Sequence, residues 1–334
     1  MRILIPLPDR DFDVTEVAVP WRILRDAGHE VVFATERKGT VPAADPRLLT
    51  GVLFGQLGAA PEARDWYGDM VKAPEFTSTE AWDELDPAGF DGLLLPGGHA
   101  PGMRQYLGSA VLSEQVGRFW QLKRPVGAIC HGVLVLARTR DAGSGRGVLA
   151  TRQTTCLPKY MERSAYLATA WRLGRYYRTY HAYVEDEVKA SLDDPARQFQ
   201  RGPLTLSARG TAADDSPAFV VRDANYLSAR WPGDAYLFAR SFLDLLSPAS
   251  LRAVVVTPLS PHPLRDRGAG VGVRAAACSC PRKGRGCGAG VGIPRHRRRR
   301  PRRRRPRRCL RAAAWAPRAP ASGACTRRAC RAAP

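Results

Sequence analysis

The sequence predicts an α/β fold, a three-layer αβα sandwich built around a mostly parallel sheet. Short apolar and β-branched runs alternate with helical patterns along the first 249 residues, as is typical of strands joined by crossover helices. The chain has 334 residues and a hydrophobic content of 44%, which is enough for a large buried core. Both patterns stop near residue 250, where Arg, Ala, Gly and Pro take over.

The elements of the sandwich are predicted from apolar runs and from the Gly, Pro and Asp residues that separate them. Strands are expected at residues 2–6, 29–34, 90–95, 125–129, 218–221 and 226–229, and helices at 16–27, 111–123, 133–137 and 235–246. Residues 36–85 and 157–210 are longer than simple connections need and are rich in aromatic side chains. We expect these two insertions to form a small cap over the edge of the sheet, within one domain that spans residues 1–249.

Charge and composition set the C-terminal segment apart. Residues 250–334 hold 23 of the 52 Lys and Arg residues but only one of the 31 Asp and Glu residues, so residues 1–249 are nearly neutral. This balance gives no electrostatic basis for nucleic-acid or membrane binding by the folded part. We expect residues 250–334 to be a disordered tail rich in Arg, Ala and Pro. Such a tail could bind nucleic acid, or it could be an out-of-frame extension without function.

The cysteines and the apolar runs limit which cellular location and which cofactors are expected. Cys130 and Cys156 are the only cysteines before residue 250, which is too few for a disulfide scaffold. The tail cysteines lack the paired spacing of a zinc site, and we expect no metal. The N-terminus has no long apolar leader, and no run of about 18 apolar residues follows, which predicts a cytoplasmic protein without membrane contact.

A reactive cysteine is predicted at the end of one buried strand. In Ala-Ile-Cys-His-Gly at 128–132, a tight strand-to-helix turn would place Cys130 beside a helix N-terminus, which favours thiolate. His131 could act as a general base or stabilise the thiolate as a cation. The alternative is a buried cysteine beside a chance histidine.

Four segments together resemble one known superfamily. They are Glu-Val-Ala-Val-Pro-Trp at 16–21, Leu-Leu-Pro-Gly-Gly-His at 94–99, Ala-Ile-Cys-His-Gly at 128–132 and Ser-Ala-Arg-Trp-Pro-Gly-Asp-Ala at 228–235. Over residues 1–247 the chain resembles the PfpI/ThiJ superfamily, also called class I glutamine amidotransferase-like. The resemblance implies a flavodoxin-like sheet. The long insertions are similar to those of the branch with glyoxalase III, protein deglycase and holdase chaperones.

That resemblance implies a set of catalytic residues. Cys130, His131 and Glu162 would form a Cys-His-acid triad, with Glu162 matched by its segment, although an acid within residues 185–187 is an alternative. Glu16 matches an acid whose protonated carboxyl donates a hydrogen bond to the sulfur. It could instead be an ordinary first-turn carboxylate of a helix capped by Thr15.

A second set of residues is predicted to contact the substrate. The N–H groups of Gly97, Gly98 and His131 could form an oxyanion hole, and an ordinary turn is the competing interpretation. His99 is compatible with a pocket wall that contacts a substrate carbonyl. Arg104 could add a cation for a substrate that carries a carboxylate.

The resemblance implies glyoxalase III-like chemistry, in which a 2-oxoaldehyde becomes a 2-hydroxy acid without glutathione, metal or cofactor. Protein deglycation would be the same chemistry on glycated protein. The family also implies a homodimer. Two other functions stay open: a cysteine amidase or peptidase, since a Cys-His-acid site suits acyl transfer, and a stress-responsive holdase or oxidation sensor.

Overall fold

A computed structural model of the chain describes residues 1–55, 57–178, 180–205 and 207–247, and the predicted tail lies outside this part. The strands are β1 Arg2–Pro6, β2 Arg10–Phe12, β3 Glu30–Thr35, β4 Ala43–Ala44, β5 Glu80–Ala81, β6 Gly92–Leu95, β7 Val126–Ile129, β8 Val220–Asp223 and β9 Tyr226–Ala229. The helices are α1 Val14–Asp26, α2 Pro46–Thr50, α3 Pro61–Met70, α4 Pro74–Thr77, α5 Met103–Leu107, α6 Ala110–Gln121, α7 Val133–Arg138, α8 Lys159–Leu173, α9 Val184–Ala190, α10 Pro195–Gln198 and α11 Ala235–Leu246.

Seven strands form the main sheet in the order β5-β3-β1-β6-β7-β9-β8. Each neighbouring pair is parallel except β8 and β9, which form an antiparallel hairpin at one edge. β2 and β4 make a separate two-stranded parallel ribbon. The predicted α/β sandwich with a mostly parallel, flavodoxin-like sheet is therefore confirmed.

Helices cover both faces of the sheet, and small residues set how closely they approach. A Cβ added to Gly127 in β7 would lie 2.9 Å from the ring of Phe238 in α11, so this helix packs directly against the strand. α1 packs against α11 and α3 in the same layer. Burial of Leu4, Leu93 and Phe119 places α6 against the opposite face. The core thus lies on both sides of β1, β6 and β7.

The ends of the predicted strands and helices lie within two residues of those in the structure, and the start of α1 shows why they can differ. β1, β9 and α11 have the predicted ends. α1 begins at Val14, and its N-cap is Asp13, whose side chain accepts hydrogen bonds from the backbone N–H groups of Thr15 and Glu16. The prediction of Thr15 as the cap was therefore wrong, because Asp13 is an equally good capping residue placed two positions earlier.

The two predicted insertions differ in their contribution to the fold. Part of the first one belongs to the sandwich, since α3 packs on α1 and β5 pairs with β3 as an edge strand. The remainder meets the second insertion at Asp45, whose carboxylate accepts hydrogen bonds from the hydroxyls of Tyr176 (3.1 Å) and Tyr177 (2.9 Å). Within the described ranges, no helix is long and apolar enough to cross a membrane.

Candidate active site

The predicted turn after β7 is confirmed. Cys130 follows the strand with a φ of 58°, and a single 3-10 turn, Cys130–Gly132, leads into α7. A positive φ is costly for a residue with a side chain and is found most often at functional sites. Gly132 is required here because an added Cβ would lie 2.0 Å from the carbonyl oxygen of Leu95. Close packing of the turn against β6 therefore fixes the position of the Cys130 side chain.

Burial governs the chemistry of the Cys130 thiol. Cys130 is 0% exposed, and burial raises the pKa of its thiol well above the usual range, with the neighbouring carboxyl groups of Glu16 and Asp13 acting in the same direction. The backbone N–H of His131 donates a hydrogen bond to the sulfur and works in the opposite direction. The expected preference for thiolate is therefore reversed in the closed site, where the neutral thiol is favoured.

Glu16 lies beside Cys130 and is itself buried. Its Oε2 accepts a hydrogen bond from the N–H of Gly97 at 2.8 Å, while Oε1 is buried without a hydrogen-bond partner among the described residues. Burial raises the pKa of Glu16 well above its usual range, and the nearby carboxylate of Asp13 raises it further. The raised pKa favours the protonated carboxyl, which can donate a hydrogen bond.

The glycine pair after β6 is used for close approach rather than for a positive φ. A Cβ on Gly97 would lie 2.7 Å from the backbone nitrogen of His131, and one on Gly98 would lie 2.7 Å from the carbonyl oxygen of Asp11. The N–H of Gly97 is already bonded to Glu16. Of the two glycines, Gly98 is thus the better source of an oxyanion-hole donor.

Two histidines lie side by side next to the sulfur. His131 Nδ1 is 3.5 Å from Cys130 Sγ, and the ring centroids of His131 and His99 are 4.5 Å apart. Burial lowers the pKa of His99 to about 4, and it lowers that of His131 well below its usual range, with the charges of His99, Arg138 and Arg178 acting in the same direction. The lowered pKa values favour the neutral form of both rings, and Nδ1 is the His131 atom that lies against the thiol sulfur.

Glu162 is buried near this group but has other hydrogen-bond partners. Its Oε1 accepts from Arg178 Nη1 at 2.7 Å and its Oε2 from the backbone N–H of Val184 at 2.9 Å. No hydrogen bond joins Glu162 to His131 among the residues that the structure describes. The role of Glu162 in a triad therefore stays a prediction, and its observed contact is an ion pair with Arg178.

The three alternative acids are likewise paired with cationic side chains. Glu185 bonds Lys189 and Arg201, Asp186 lies 2.6 Å from Lys159, and Glu187 lies 2.6 Å from Arg138. In the described part of the chain none of them donates to or accepts from His131.

Several residues around the site had no sequence pattern that could reveal them. Arg178 and Arg138 are the cations whose charges act on His131, whereas Arg104, the predicted cation, lies on an exposed part of α5. The ring of Tyr177 packs 6.0 Å from that of His99 and carries the hydroxyl that bonds Asp45. The two insertions thus meet over the histidines and close the site.

The same cluster is the place where a metal could be held within the described residues. One nitrogen from each histidine, His99 and His131, and the sulfur of Cys130 lie within 4.8 Å of one another. The expectation of metal-free chemistry rests on the family resemblance alone.

The fold and site define a class: α/β proteins that hold a cysteine on a strand-to-helix turn at the carboxyl edge of a parallel sheet. A family model described as ThiJ/PfpI family-like matches residues 7–203. The chain therefore belongs to the ThiJ/PfpI superfamily, as its motifs predict.

Known proteins agree with this assignment. An uncharacterised protein of Schizosaccharomyces pombe is 29% identical over 261 residues, which cover 75% of this chain and 85% of that protein. Deglycase PfpI of Pyrococcus furiosus is 27% identical over 246 residues, covering 74% and 99%. The crystal structure of glyoxalase III from Candida albicans covers 73% of this chain and 96% of its own, with a TM-score of 0.54 and 16% identity, a likeness of fold.

Proposed function

We propose that the protein is a cysteine-dependent enzyme that converts 2-oxoaldehydes to 2-hydroxy acids, with protein deglycation as the same chemistry on a larger substrate. The arrangement of a buried thiol between a neutral imidazole and a protonated carboxyl carries this proposal. Cys130 Sγ lies 3.5 Å from His131 Nδ1, and the Glu16 carboxyl is held in place by Gly97. Relatives named as deglycases support an enzymatic function at the level of the family.

The first step forms a bond between sulfur and the aldehyde carbon. His131 takes the proton of the Cys130 thiol, and the thiolate attacks the aldehyde to give a hemithioacetal oxyanion. The N–H of Gly98 would stabilise this oxyanion, which then takes the proton back from His131. His99 forms the wall of the site beside these groups.

The second step moves hydrogen from the aldehyde carbon to the neighbouring keto carbon. A base removes the proton on the aldehyde carbon to give an enediol, and a proton returns on the adjacent carbon to give a 2-hydroxyacyl thioester. Neutral His131 can accept the proton from carbon, and protonated Glu16 can donate a proton in return. Passage of the proton from His131 to the Glu16 carboxylate then restores both groups. Water then cleaves the thioester, which releases the 2-hydroxy acid and restores the thiol, so the net change is the addition of water.

Formation of lactate from methylglyoxal by the purified full chain tests this function. We expect wild-type protein to produce lactate without glutathione and Cys130→Ala to produce none. Cys156→Ala is the matched control, because Cys156 is also buried and reduced but has no histidine partner in the described residues. Equal rates for wild type and Cys130→Ala would contradict the proposal.

A second candidate, a holdase function, is favoured by an exposed apolar surface on the insertions. Phe54 is 77% exposed and Trp171 is 68% exposed, and their rings stack with centroids 6.3 Å apart. Leu57 and Leu167 are also exposed. Suppression of client aggregation that survives Cys130→Ala but is lost on replacement of Phe54 and Trp171 by Ser would support this function.

The cellular location, the substrates and the oligomeric state of the enzyme are part of the same proposal. It would act in the cytoplasm on a small aldehyde or a glycated protein, as a homodimer. Size-exclusion chromatography with light scattering of the full chain tests the dimer, and a mass of 36.6 kDa, that of one chain, would contradict it.

A further inference from the structure

Three potential metal-ligand atoms, two imidazole nitrogens and one sulfur, lie together at the carboxyl edge of the sheet. His99 follows β6, and Cys130 and His131 follow β7, the strand paired in parallel with β6. Because the register pairs Leu95 with Ala128, the two segments leave the sheet at the same level. The two histidine nitrogens and the cysteine sulfur lie within 4.8 Å of one another.

The spacing fits a tetrahedral cation closely. Zinc binds thiolate sulfur at about 2.3 Å and imidazole nitrogen at about 2.0–2.1 Å, so adjacent ligand atoms of a tetrahedral site lie about 3.3–3.6 Å apart. The Sγ of Cys130 and Nδ1 of His131 are already 3.5 Å apart. The His99 nitrogen needs a shift of about 1.5 Å at most, which rotation of the ring could supply.

The donor chemistry selects a particular class of cation. Two imidazoles and one thiolate suit zinc and neighbouring late transition metals, whereas calcium and magnesium prefer oxygen ligands. An imidazole offers a lone pair on the ring nitrogen that carries no proton. Three protein ligands leave a fourth position open for water or another small ligand.

We propose that His99, Cys130 and His131 bind a thiophilic divalent cation such as Zn²⁺, which holds the Cys130 sulfur as a coordinated thiolate and blocks its attack on substrate. Binding replaces the S–H bond by a metal–sulfur bond and releases one proton to solvent, with no change of oxidation state. The metal site itself stands independently of the activity. Only the inhibitory consequence rests on the proposed enzymatic function.

A bound cation also accounts for the position of His99. If His99 served only as a wall of the pocket, any flat side chain that packs on Tyr177 could take its place. An imidazole whose ring lies 4.5 Å from that of His131 adds a second nitrogen ligand to the His131 and Cys130 pair. Two donors bind zinc weakly, whereas three donors on adjacent turns hold it in a preformed site.

Titration with Co²⁺ tests the site directly, because cobalt replaces zinc and a cobalt–thiolate bond gives a charge-transfer absorption band. The measurement uses the reduced full chain, whose tail cysteines can bind cobalt as well, so the informative quantity is the difference between wild type and Cys130→Ser. We expect this difference to show one thiolate-bound cobalt per chain that zinc displaces. Cys156→Ser, the matched control, should retain the full wild-type spectrum.

A ligand variant separates coordination from simple thiol reactivity. His99→Asn keeps a polar planar side chain but removes the imidazole, and we expect it to weaken cobalt binding more than about tenfold. Circular dichroism and the melting temperature show whether His99→Asn and Cys130→Ser remain folded. Identical cobalt spectra for wild type and folded Cys130→Ser, or unchanged affinity in folded His99→Asn, would overturn the proposal.

Activity measurements distinguish failure of the metal site from failure of the enzymatic function. If the protein makes lactate, added Zn²⁺ should inhibit it and a chelator should restore the rate. Lactate formation that is indifferent to Zn²⁺ at concentrations that saturate the cobalt difference spectrum would refute the inhibitory role. A cobalt–Cys130 band in a protein that makes no lactate would support the metal site while the proposed function fails.

Discussion

Replacing Glu162 by Gln separates two roles that this residue could have. In the structure both carboxylate oxygens are occupied, one by Arg178 and one by the N–H of Val184, and the Arg178 and Glu162 side chains are only 9% and 2% exposed. A Gln side chain removes the negative charge and turns one acceptor into a donor. Arg178 would then be a buried cation without a negatively charged partner, in contact with backbone carbonyl oxygens and the ring of Tyr183.

The size of the stability loss follows from this burial. Removing one partner of a buried ion pair costs about 3–5 kcal/mol, because the other charge is left without compensation. We expect the lower end, about 3 kcal/mol, since burial already raises the pKa of Glu162 despite the charge of Arg178. For a domain of this size each 1 kcal/mol lowers the melting temperature by about 2–4 °C, so the expected shift is about 6–12 °C.

Activity gives the second measurement. If Glu162 acts only by positioning Arg178, kcat/KM for methylglyoxal should fall by no more than about tenfold, whereas loss of a triad acid costs about 10⁴-fold. Glu30→Gln is the matched control, because the Arg2–Glu30 pair is exposed and should contribute less than about 1 kcal/mol. A 10⁴-fold loss in a Glu162→Gln protein that melts like wild type would refute the positioning role and make Glu162 the triad acid.

Three further substitutions test the turn, the proton donor and the closed state. Gly132→Ala should abolish folding or lower the melting temperature sharply, since its Cβ would lie 2.0 Å from a carbonyl oxygen. Gly68→Ala, in open space on α3, should be neutral or stabilising by up to about 1 kcal/mol. Thermal unfolding measures both effects. Glu16→Gln should keep the rate of Cys130 alkylation by iodoacetamide within about tenfold of wild type but lower the rate of lactate formation about 10²–10⁴-fold, because an amide donates a hydrogen bond but transfers no proton. Equal losses in both assays would contradict this role. Tyr177→Phe removes the charge-assisted hydrogen bond to Asp45, which is worth about 1.5 kcal/mol, so Cys130 alkylation should be about tenfold faster. An unchanged rate would show that the Tyr177–Asp45 contact does not limit access to Cys130.

The parts of the fold that the sequence predicted well are those with a local signal. β9 and α11 have their predicted ends because the turn at residues 223–225 marks the start of a short buried strand and an amphipathic pattern marks the helix. The turn at Cys130 was predictable because Gly132 and the preceding buried strand are adjacent in sequence. The start of α1 was not, since Asp13 and Thr15 are both capping residue types and the choice between them depends on the close approach to Gly97.

The site was predictable only where its residues lie next to the strands. Cys130, His131 and His99 follow β7 and β6 directly, so parallel pairing brings them together whatever the insertions do. Arg178 and Tyr177 lie in an insertion. Tyr177 bonds Asp45, more than one hundred residues away, and Arg178 bonds Glu162 from the irregular segment that follows α8. No periodic pattern encodes such contacts, which is why the partner of Glu162 could not be deduced.

Burial of the reacting groups also bears on which substrate suits the site. Burial raises the pKa of Cys130 and Glu16 and lowers that of His131, so it favours the neutral form of each group. A small uncharged aldehyde can replace water there without bringing a charge out of solvent. A peptide would bring several backbone N–H and C=O groups that need hydrogen-bond partners, and each unmet group is costly in a buried site. It would also require the insertions to remain apart during the reaction, with loss of the Asp45 to Tyr177 bond. The closed, neutral site therefore favours a small aldehyde over the peptidase alternative.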